Sequence, residues 1–144
     1  MLEFSNKKDQ DSVELVKIVS VLIHAAKIDE NYTEKEKQLI NNFIINFTKK
    51  NPGILKNKTS SQILMESEKQ EKDSNHILEF TREIKKMDIK IKTFVLETLW
   101  EIVLSDEKSG IYESNLIRRI CGLLYISDKV SGEVKLSIIE KNKL

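Results

Sequence analysis

The chain has 144 residues, with 24 basic and 23 acidic side chains and a formal net charge of +1, so its length fits one domain with a sizeable core. Hydrophobic residues make up 40% and charged residues 33%, with only 4 Gly and 1 Pro. Few helix breakers among many Lys, Glu, Ile and Leu indicate an all-α protein and exclude a loop-rich one.

The first predicted unit spans residues 12–48. Apolar residues at helical spacing predict a helix from Ser12 to Ile28, and additional valines predict that it is central and buried on more than one side. After a short loop, Thr33 and Glu36 have the spacing of a capping box at the start of a second helix. That helix is expected to end at the breaker 51–53.

The middle of the chain carries weaker signals. Thr59 and the serines that follow predict the cap of a short helix holding Ile63 and Leu64. The polar run 66–75 predicts an exposed helix end and connection, and a further helix is expected from Ser74 to Lys86.

The second predicted unit spans residues 88–126. It comprises a helix from Asp88 to Leu104, the loop 105–110 and another helix ending near Leu124, followed by a short last helix from Val130 to Lys141. The total is about seven helices and no strand, which predicts a compact all-α bundle in a single domain over residues 1–144.

An acidic pair recurs in the two units at the same spacing. Asp29 and Glu36 are seven residues apart, and so are Asp106 and Glu113. Each pair lies where one apolar helical stretch ends and the next begins. The sequence therefore predicts a bundle built from two pseudo-repeated helix–acidic loop–helix units.

The segment 99–128, LWEIVLSDEKSGIYESNLIRRICGLLYISD, resembles the characteristic segment of TerB-like proteins of the tellurite-resistance group. That segment has an apolar helix, an Ala-Asp-Gly-type loop, a Glu seven residues after the Asp, and an Arg-Arg helix ending in Leu-Leu. The segment AAKIDENYTEKEKQLI resembles the family's earlier copy. The matching residues in the later segment are Trp100, Asp106, Glu113, Arg118, Arg119, Leu123 and Leu124.

The resemblance implies a compact all-α domain with a pseudo-twofold, similar also to a domain of a DnaJ-like membrane co-chaperone. It implies no catalytic residues, and it implies acidic residues suspected of binding metal. This chain departs from the family's loop, because Glu30 and Glu107 stand where the family has Gly. The loss of Gly removes a residue that readily adopts positive φ, so a differently shaped loop is expected.

The acidic pairs have two interpretations. If the two loops meet at one end of the bundle, Asp29, Glu36, Asp106 and Glu113 could converge as oxygen ligands for Ca²⁺, Mg²⁺ or Mn²⁺. The other interpretation is helix capping, which uses the same residue types at the same places. An EF-hand is excluded, because its bidentate Glu would fall on Ile40 or Ile117.

Four other residue types could carry chemistry but are expected to be structural. His24 lies about one turn before Asp29 and could assist the acidic site. It is nevertheless predicted to be a partly buried, hydrogen-bonded histidine. Cys121 is expected in the core, and Trp100 is expected to be an interhelical anchor with a partner for its N–H. The Arg118–Arg119 pair could contact an anion or a partner, but such a pair is more often one salt bridge and one solvated side chain.

A cytoplasmic protein is expected from the cysteine count and the hydropathy. A single cysteine cannot form an intramolecular disulfide, which is typical of a reducing compartment. The polar N-terminal segment lacks the features of a signal peptide, and the most apolar run, 13–28, is too short for a transmembrane segment.

These observations favour a binding or scaffold module in a stress-related system over an enzyme. No Walker loop, nucleophile elbow or Gly-rich dinucleotide turn is present. A protein partner is expected. The balanced charge argues against nucleic acid, although a local basic patch is still possible. A peripheral membrane partner is also possible. The alternatives are a pure protein-interaction domain whose acids only cap helices, and a hydrolase with a carboxylate-bound metal.

Overall fold

The computed structural model describes residues 15–27, 32–50, 58–73, 77–105 and 111–143, without the side chains of 77, 78 and 111–114. Within these ranges the chain forms seven helices and no strand, so the predicted all-α class is confirmed. The first helix, α1, covers 15–26 of the described part. The others are α2 (Glu34–Lys50), α3 (Ser60–Asp73), α4 (Ile77–Lys85), α5 (Ile89–Ser105), α6 (Ile111–Leu124) and α7 (Asp128–Lys143).

Helix α1 lies in the centre of the core. Its apolar side chains are buried on every face, which confirms the prediction made from its additional valines. The Ser20 hydroxyl contacts the backbone carbonyl of Ser67 in α3 at 3.3 Å, and Lys17 pairs with Glu83 of α4 at 3.7 Å. The burial of each large apolar side chain contributes roughly 1.5–3 kcal/mol, so α1 supplies much of the energy that holds the bundle together.

Three phenylalanines join α2 to α5. The ring centroids of Phe43 and Phe94 are 4.7 Å apart with an interplanar angle of 45°, and Phe47 stacks on Phe94 at 6.5 Å. Tilted and offset arrangements of this kind are the favoured ones for aromatic pairs. The two helices belong to different predicted units, so this contact connects the first half of the chain to the second.

Helix α3 is longer than the sequence predicts. It begins as expected with a capping box, because the Thr59 hydroxyl accepts from Gln62 N–H at 3.1 Å and Gln62 Oε1 accepts from Thr59 N–H at 2.8 Å. However, it continues to Asp73 and buries Ser67 fully. The interpretation of 66–75 as an exposed end and connection was therefore wrong over 66–73.

Helix α6 ends in a Schellman motif without glycine. Tyr125 N–H donates to the Gly122 carbonyl at 3.3 Å, and Ile126 N–H donates to the Cys121 carbonyl at 2.8 Å. The motif places Tyr125 at φ 59°, a conformation that favours glycine. Lys92 of α5 adds a bond from its Nζ to the Leu124 carbonyl at 3.1 Å, so the end of α6 is tied to the start of α5.

Helix α7 packs on α5 and is longer than predicted. It starts at Asp128 and reaches Lys143, and the Ser127 hydroxyl accepts from Val130 N–H at 3.2 Å at its start.

Helix α6 begins at Ile111. When the two acidic pairs are aligned, this position matches Glu34 at the start of α2. The internal repeat itself stays a prediction, because both acidic loops lie outside the described residues.

Candidate functional site

The capping box predicted at the start of α2 is present. Glu36 Oε1 accepts from the backbone N–H and from the hydroxyl of Thr33, both at 2.9 Å, and Thr33 Oγ1 accepts from Glu36 N–H at 3.1 Å. Glu36 is only 2% exposed. These contacts satisfy N–H groups that would otherwise have no partner in the first turn, so the first acidic pair contributes at least one cap.

The other predicted metal ligands lie outside the described residues. Asp29 and Asp106 fall in the undescribed loops, and Glu113 is described only as a backbone position in α6. Within the described part of the chain, no group of three or more His, Cys, Asp or Glu side chains is arranged to hold a metal ion. The divalent cation therefore stays a prediction.

Acidic side chains from two helices surround Tyr32, which lies between the first loop and α2. The Tyr32 hydroxyl is buried and has no hydrogen-bond partner among the described residues. Burial first, and then four neighbouring carboxylates, raise the pKa of Tyr32 far above its ordinary value. These carboxylates form what we call the acidic ring: Glu34, Glu36, Glu68 and Glu71.

Cations of α1 and α2 balance part of this ring. Glu71 is 10% exposed and pairs with Lys27 Nζ at 2.8 Å, with His24 Nδ1 at 3.4 Å from its other oxygen. Lys37 lies over the Tyr32 ring at 5.0 Å. The prediction of a partly buried, hydrogen-bonded His24 is thus confirmed, with its partner on α3.

Two contacts between α1 and α3 fix the register of these helices. Ser20 contacts Ser67, and His24 contacts Glu71. Each step of four residues along α1 matches a step of four along α3, so the helices run parallel with one face of each in contact. This register carries Glu71 to the same end of the bundle as the first acidic loop.

A groove of about 560 Å³ runs between α2 and α3 beside the acidic ring. The Asn41 amide oxygen is buried and, within the part of the chain that the structure describes, has no hydrogen-bond partner. Charged, amide, hydroxyl and apolar groups are mixed along the groove, which is lined by Glu34, Lys35, Lys37, Gln38, Asn41, Ser61 and Leu64. The arrangement offers hydrogen-bond acceptors and donors to a partner.

Sequence reasoning missed Glu68, Glu71 and Asn41. The usable signal for Glu71 was the spacing Ile63, Ser67, Glu71, which places these residues on one helical face. That face looked unsuitable for burial because two of its three residues are polar. For Asn41 no sequence signal distinguishes it from the exposed asparagines on the same helix.

Cys121 and Trp100, both expected to be structural, lie in the core of the second half. Cys121 is 1% exposed, and burial raises the pKa of its thiol. Trp100 is 7% exposed, and its indole N–H donates to Ser131 Oγ at 3.2 Å. Arg118 and Arg119 are both exposed, and within the described residues neither has an ion-pair partner, so the predicted salt bridge of this pair is not present there.

The architecture defines an all-α helical domain in which α2 begins with a capping box. The family described as tellurite resistance protein TerB matches residues 15–136, which is most of the chain, so the chain belongs to the TerB family. The resemblance seen in the sequence is confirmed. No curated protein and no solved structure matches the chain. None of the helices in the described ranges is long and apolar enough to cross a membrane.

Proposed function

We propose that this TerB domain is a binding and scaffold module of a cytoplasmic stress-response system of the tellurite-resistance type, and not an enzyme. The observation that supports this most directly is the buried Asn41 amide oxygen, without a partner, in the α2–α3 groove. A buried polar group without a hydrogen bond costs about 1–3 kcal/mol. An N–H donor from a bound partner would offset that cost once the Asn41 side chain turns its oxygen toward the groove.

The lining of the groove favours a protein segment as the partner. The groove is lined by side chains of both charges, Glu34, Lys35 and Lys37, and by the apolar Leu64. Small-molecule sites are mostly apolar with a few converging polar groups, whereas protein interfaces have a polar rim and many hydrogen bonds. The geometry therefore supports a pure interaction surface best.

Replacement of Asn41 separates binding from folding. Asn41→Leu removes the unpaired oxygen at similar volume, so we expect the protein to become more stable, by about 1 kcal/mol, and to lose its partner. Affinity capture from the source cells, read by mass spectrometry, compares wild type, Asn41→Leu and the control Asn46→Leu, an exposed asparagine of the same helix.

All three captures are repeated with a chelator, which removes divalent cations. The proposal is supported if a protein is retained by wild type and by Asn46→Leu, but not by Asn41→Leu, both with and without the chelator. Equal retention by all three proteins would contradict the role of the groove. Loss of retention in chelator alone would favour the cation-dependent version of the module.

A divalent cation bound through Asp29, Glu36, Asp106 and Glu113 is the second candidate. The acidic ring favours it, because carboxylates of α2 and α3 lie at the end where the first acidic loop emerges. Hard cations such as Ca²⁺, Mg²⁺ and Mn²⁺ prefer this type of ligand. The capping contacts of Glu36 favour the other interpretation.

Calorimetry with Ca²⁺, Mg²⁺, Mn²⁺ and Zn²⁺ tests the cation directly. Cation binding would be shown by two results. The wild type gives a heat of binding that disappears in the double variant Asp29→Asn and Asp106→Asn, and the cation raises the melting temperature of the wild type alone. If no cation gives heat and the melting temperature is unchanged, the acids only cap helices. Glu133→Gln with Glu140→Gln, two exposed acids of α7, gives the same change of net charge and serves as the control outside the predicted ligand set.

A further inference from the structure

Cations and exposed apolar side chains lie together at one end of the bundle. Helix α4 ends at Lys85 and α5 begins at Ile89. Lys85 Nζ is 4.5 Å from the centre of the Tyr125 ring, and Lys92 Nζ bonds to the Leu124 carbonyl, so the end of α6 lies beside both helices. We call this surface the lysine-rich end, and it consists of Lys85, Lys86, Ile89, Lys90, Lys92 and Tyr125.

Its two apolar residues point outward. Ile89 is 60% exposed and Tyr125 is 74% exposed. Both stand at helix ends, and neither lines the α2–α3 groove or the smaller groove of about 230 Å³ beside Phe47. These two side chains are therefore free to insert into an external surface, and they do not form part of a ligand pocket.

The backbone at Tyr125 supports a role outside the fold. Its φ of 59° is the conformation in which glycine is favoured at this position of a Schellman motif. A side chain there strains the backbone, and a ring that is mostly exposed gives little packing in return. Strain that the fold does not need is a reason to look for a function of the side chain.

Positive charge dominates around these two residues. Lys85, Lys86 and Lys90 are exposed, and the hydrogen bond and charge of Lys85 lower the pKa of the Tyr125 hydroxyl. Asp88 lies in the same segment, where it accepts from Ile91 N–H at 3.0 Å, and Asp128 follows Tyr125 by three residues at the start of α7.

The charge extends beyond the lysine-rich end. Lys50 and Lys90 line the small groove, and the exposed Arg118 and Arg119 lie on α6 within two turns of Tyr125. The chain as a whole carries a formal net charge of only +1. The positive excess at the lysine-rich end is therefore local.

We propose that the lysine-rich end docks on an anionic lipid surface, with Ile89 and Tyr125 entering the headgroup region. Exposed aliphatic and aromatic groups among lysines are suited to the interface of a bilayer, and each lysine near an anionic leaflet adds attraction. The fixed carboxylates of a folded protein partner are bound best by the planar fork of arginine. Flexible lysines are better suited to the mobile phosphates of a lipid surface. The α2–α3 groove uses other residues, so lipid docking leaves it open.

Vesicle sedimentation with the full chain tests the proposal. Phosphatidylcholine vesicles with phosphatidylserine should sediment the protein, plain phosphatidylcholine vesicles should not, and salt should release it. The double variant Lys86→Glu and Lys90→Glu should bind about 25-fold more weakly or worse, from roughly fivefold per lysine removed. The control is Lys69→Glu with Lys72→Glu, two exposed lysines of α3 that give the same change of net charge.

Tyr125→Gly separates docking from folding. Glycine relieves the strained φ, so the variant should melt at a higher temperature than wild type and yet sediment less with anionic vesicles. Leu136→Ser, which alters a side chain 61% exposed on α7, should sediment as wild type does. Equal loss in both lysine double variants, or unchanged sedimentation of Tyr125→Gly, would overturn the proposal. Binding to soluble poly-glutamate without binding to anionic vesicles would overturn it in favour of an acidic protein partner.

Discussion

The indole N–H of Trp100 donates to the hydroxyl of Ser131 at 3.2 Å, which joins α5 to α7 in the buried part of the second half. Ser131 is 7% exposed, and its hydroxyl is also hydrogen-bonded to the Cys121 side chain. One small side chain therefore connects three helices. Because the indole has a single donor and no water can reach it easily, its partner matters for stability.

Ser131→Ala should lower the free energy of unfolding by about 1–3 kcal/mol, because it leaves the Trp100 N–H buried without an acceptor. Chemical denaturation followed by circular dichroism measures the change. Ser137→Ala, at an exposed position of the same helix, is the control and should stay within about 0.5 kcal/mol of wild type. A loss equal to that of the control would mean that the bond contributes nothing.

The capping box at the start of α2 predicts unequal effects of two substitutions at Glu36. Glu36→Ala should destabilise the protein by about 1–2 kcal/mol, because the Thr33 N–H and hydroxyl lose their acceptor. Glu36→Gln keeps an oxygen in place and should cost less. Denaturation midpoints distinguish the two.

The solvent-exposed capping box of α3 offers a comparison for that experiment. Gln62→Ala removes the equivalent side chain from Thr59 in an exposed setting, so the loss should be smaller than for Glu36→Ala. If Glu36→Gln were as damaging as Glu36→Ala, the negative charge rather than the cap would be the important property, and the cation interpretation would gain.

Local signals in the sequence were sufficient for the helices and for the cap. The bounds of α2, α5 and α6 follow from apolar spacing and from side chains such as Thr33 and Asp88, which act within three or four residues. The buried α1 was also predictable, because its apolar residues cover more than one face. These features depend on neighbours along the chain.

Features that depend on packing between helices were not predictable. Helix α3 was predicted to end early because Ser67 and Glu71 look like surface residues, yet Ser20 and His24 of α1 provide their partners. Likewise, no Gly marks the end of α6, where Tyr125 takes the conformation that glycine favours. Asn41 differs from the exposed asparagines of α2 only because α3 packs beside it, and the sequence does not reveal that contact.

Cys121 should be inert towards thiol reagents in the folded protein. Its side chain is 1% exposed, and burial raises the pKa of the thiol despite the opposing hydrogen bond from Ser131, so little reactive thiolate forms. Reaction with a chromogenic disulfide should be slow in buffer and complete in denaturant. Stoichiometric labelling of the native protein, with unchanged helicity, would show instead that α6 and α7 separate readily.

Glu101 should make the folded state less stable as the pH rises. Burial raises the pKa of this carboxyl, Lys141 opposes the shift and Glu97 adds to it. The folded protein therefore holds the proton more tightly than the unfolded chain. Stability from this group is fully present below the ordinary glutamate pKa and is lost as the pH climbs through the raised pKa of the folded state.

Glu101→Gln should remove that loss, so the variant should be more stable than wild type at pH 7 and the difference should vanish at low pH. Lys141→Ala should have the opposite effect at pH 7, because it removes the charge that supports ionised Glu101. Denaturation curves recorded at several pH values give both differences, with Glu133→Gln, an exposed acid on α7, as the control. A gain for Glu101→Gln that persisted unchanged at low pH would show that packing, and not ionisation, is its cause.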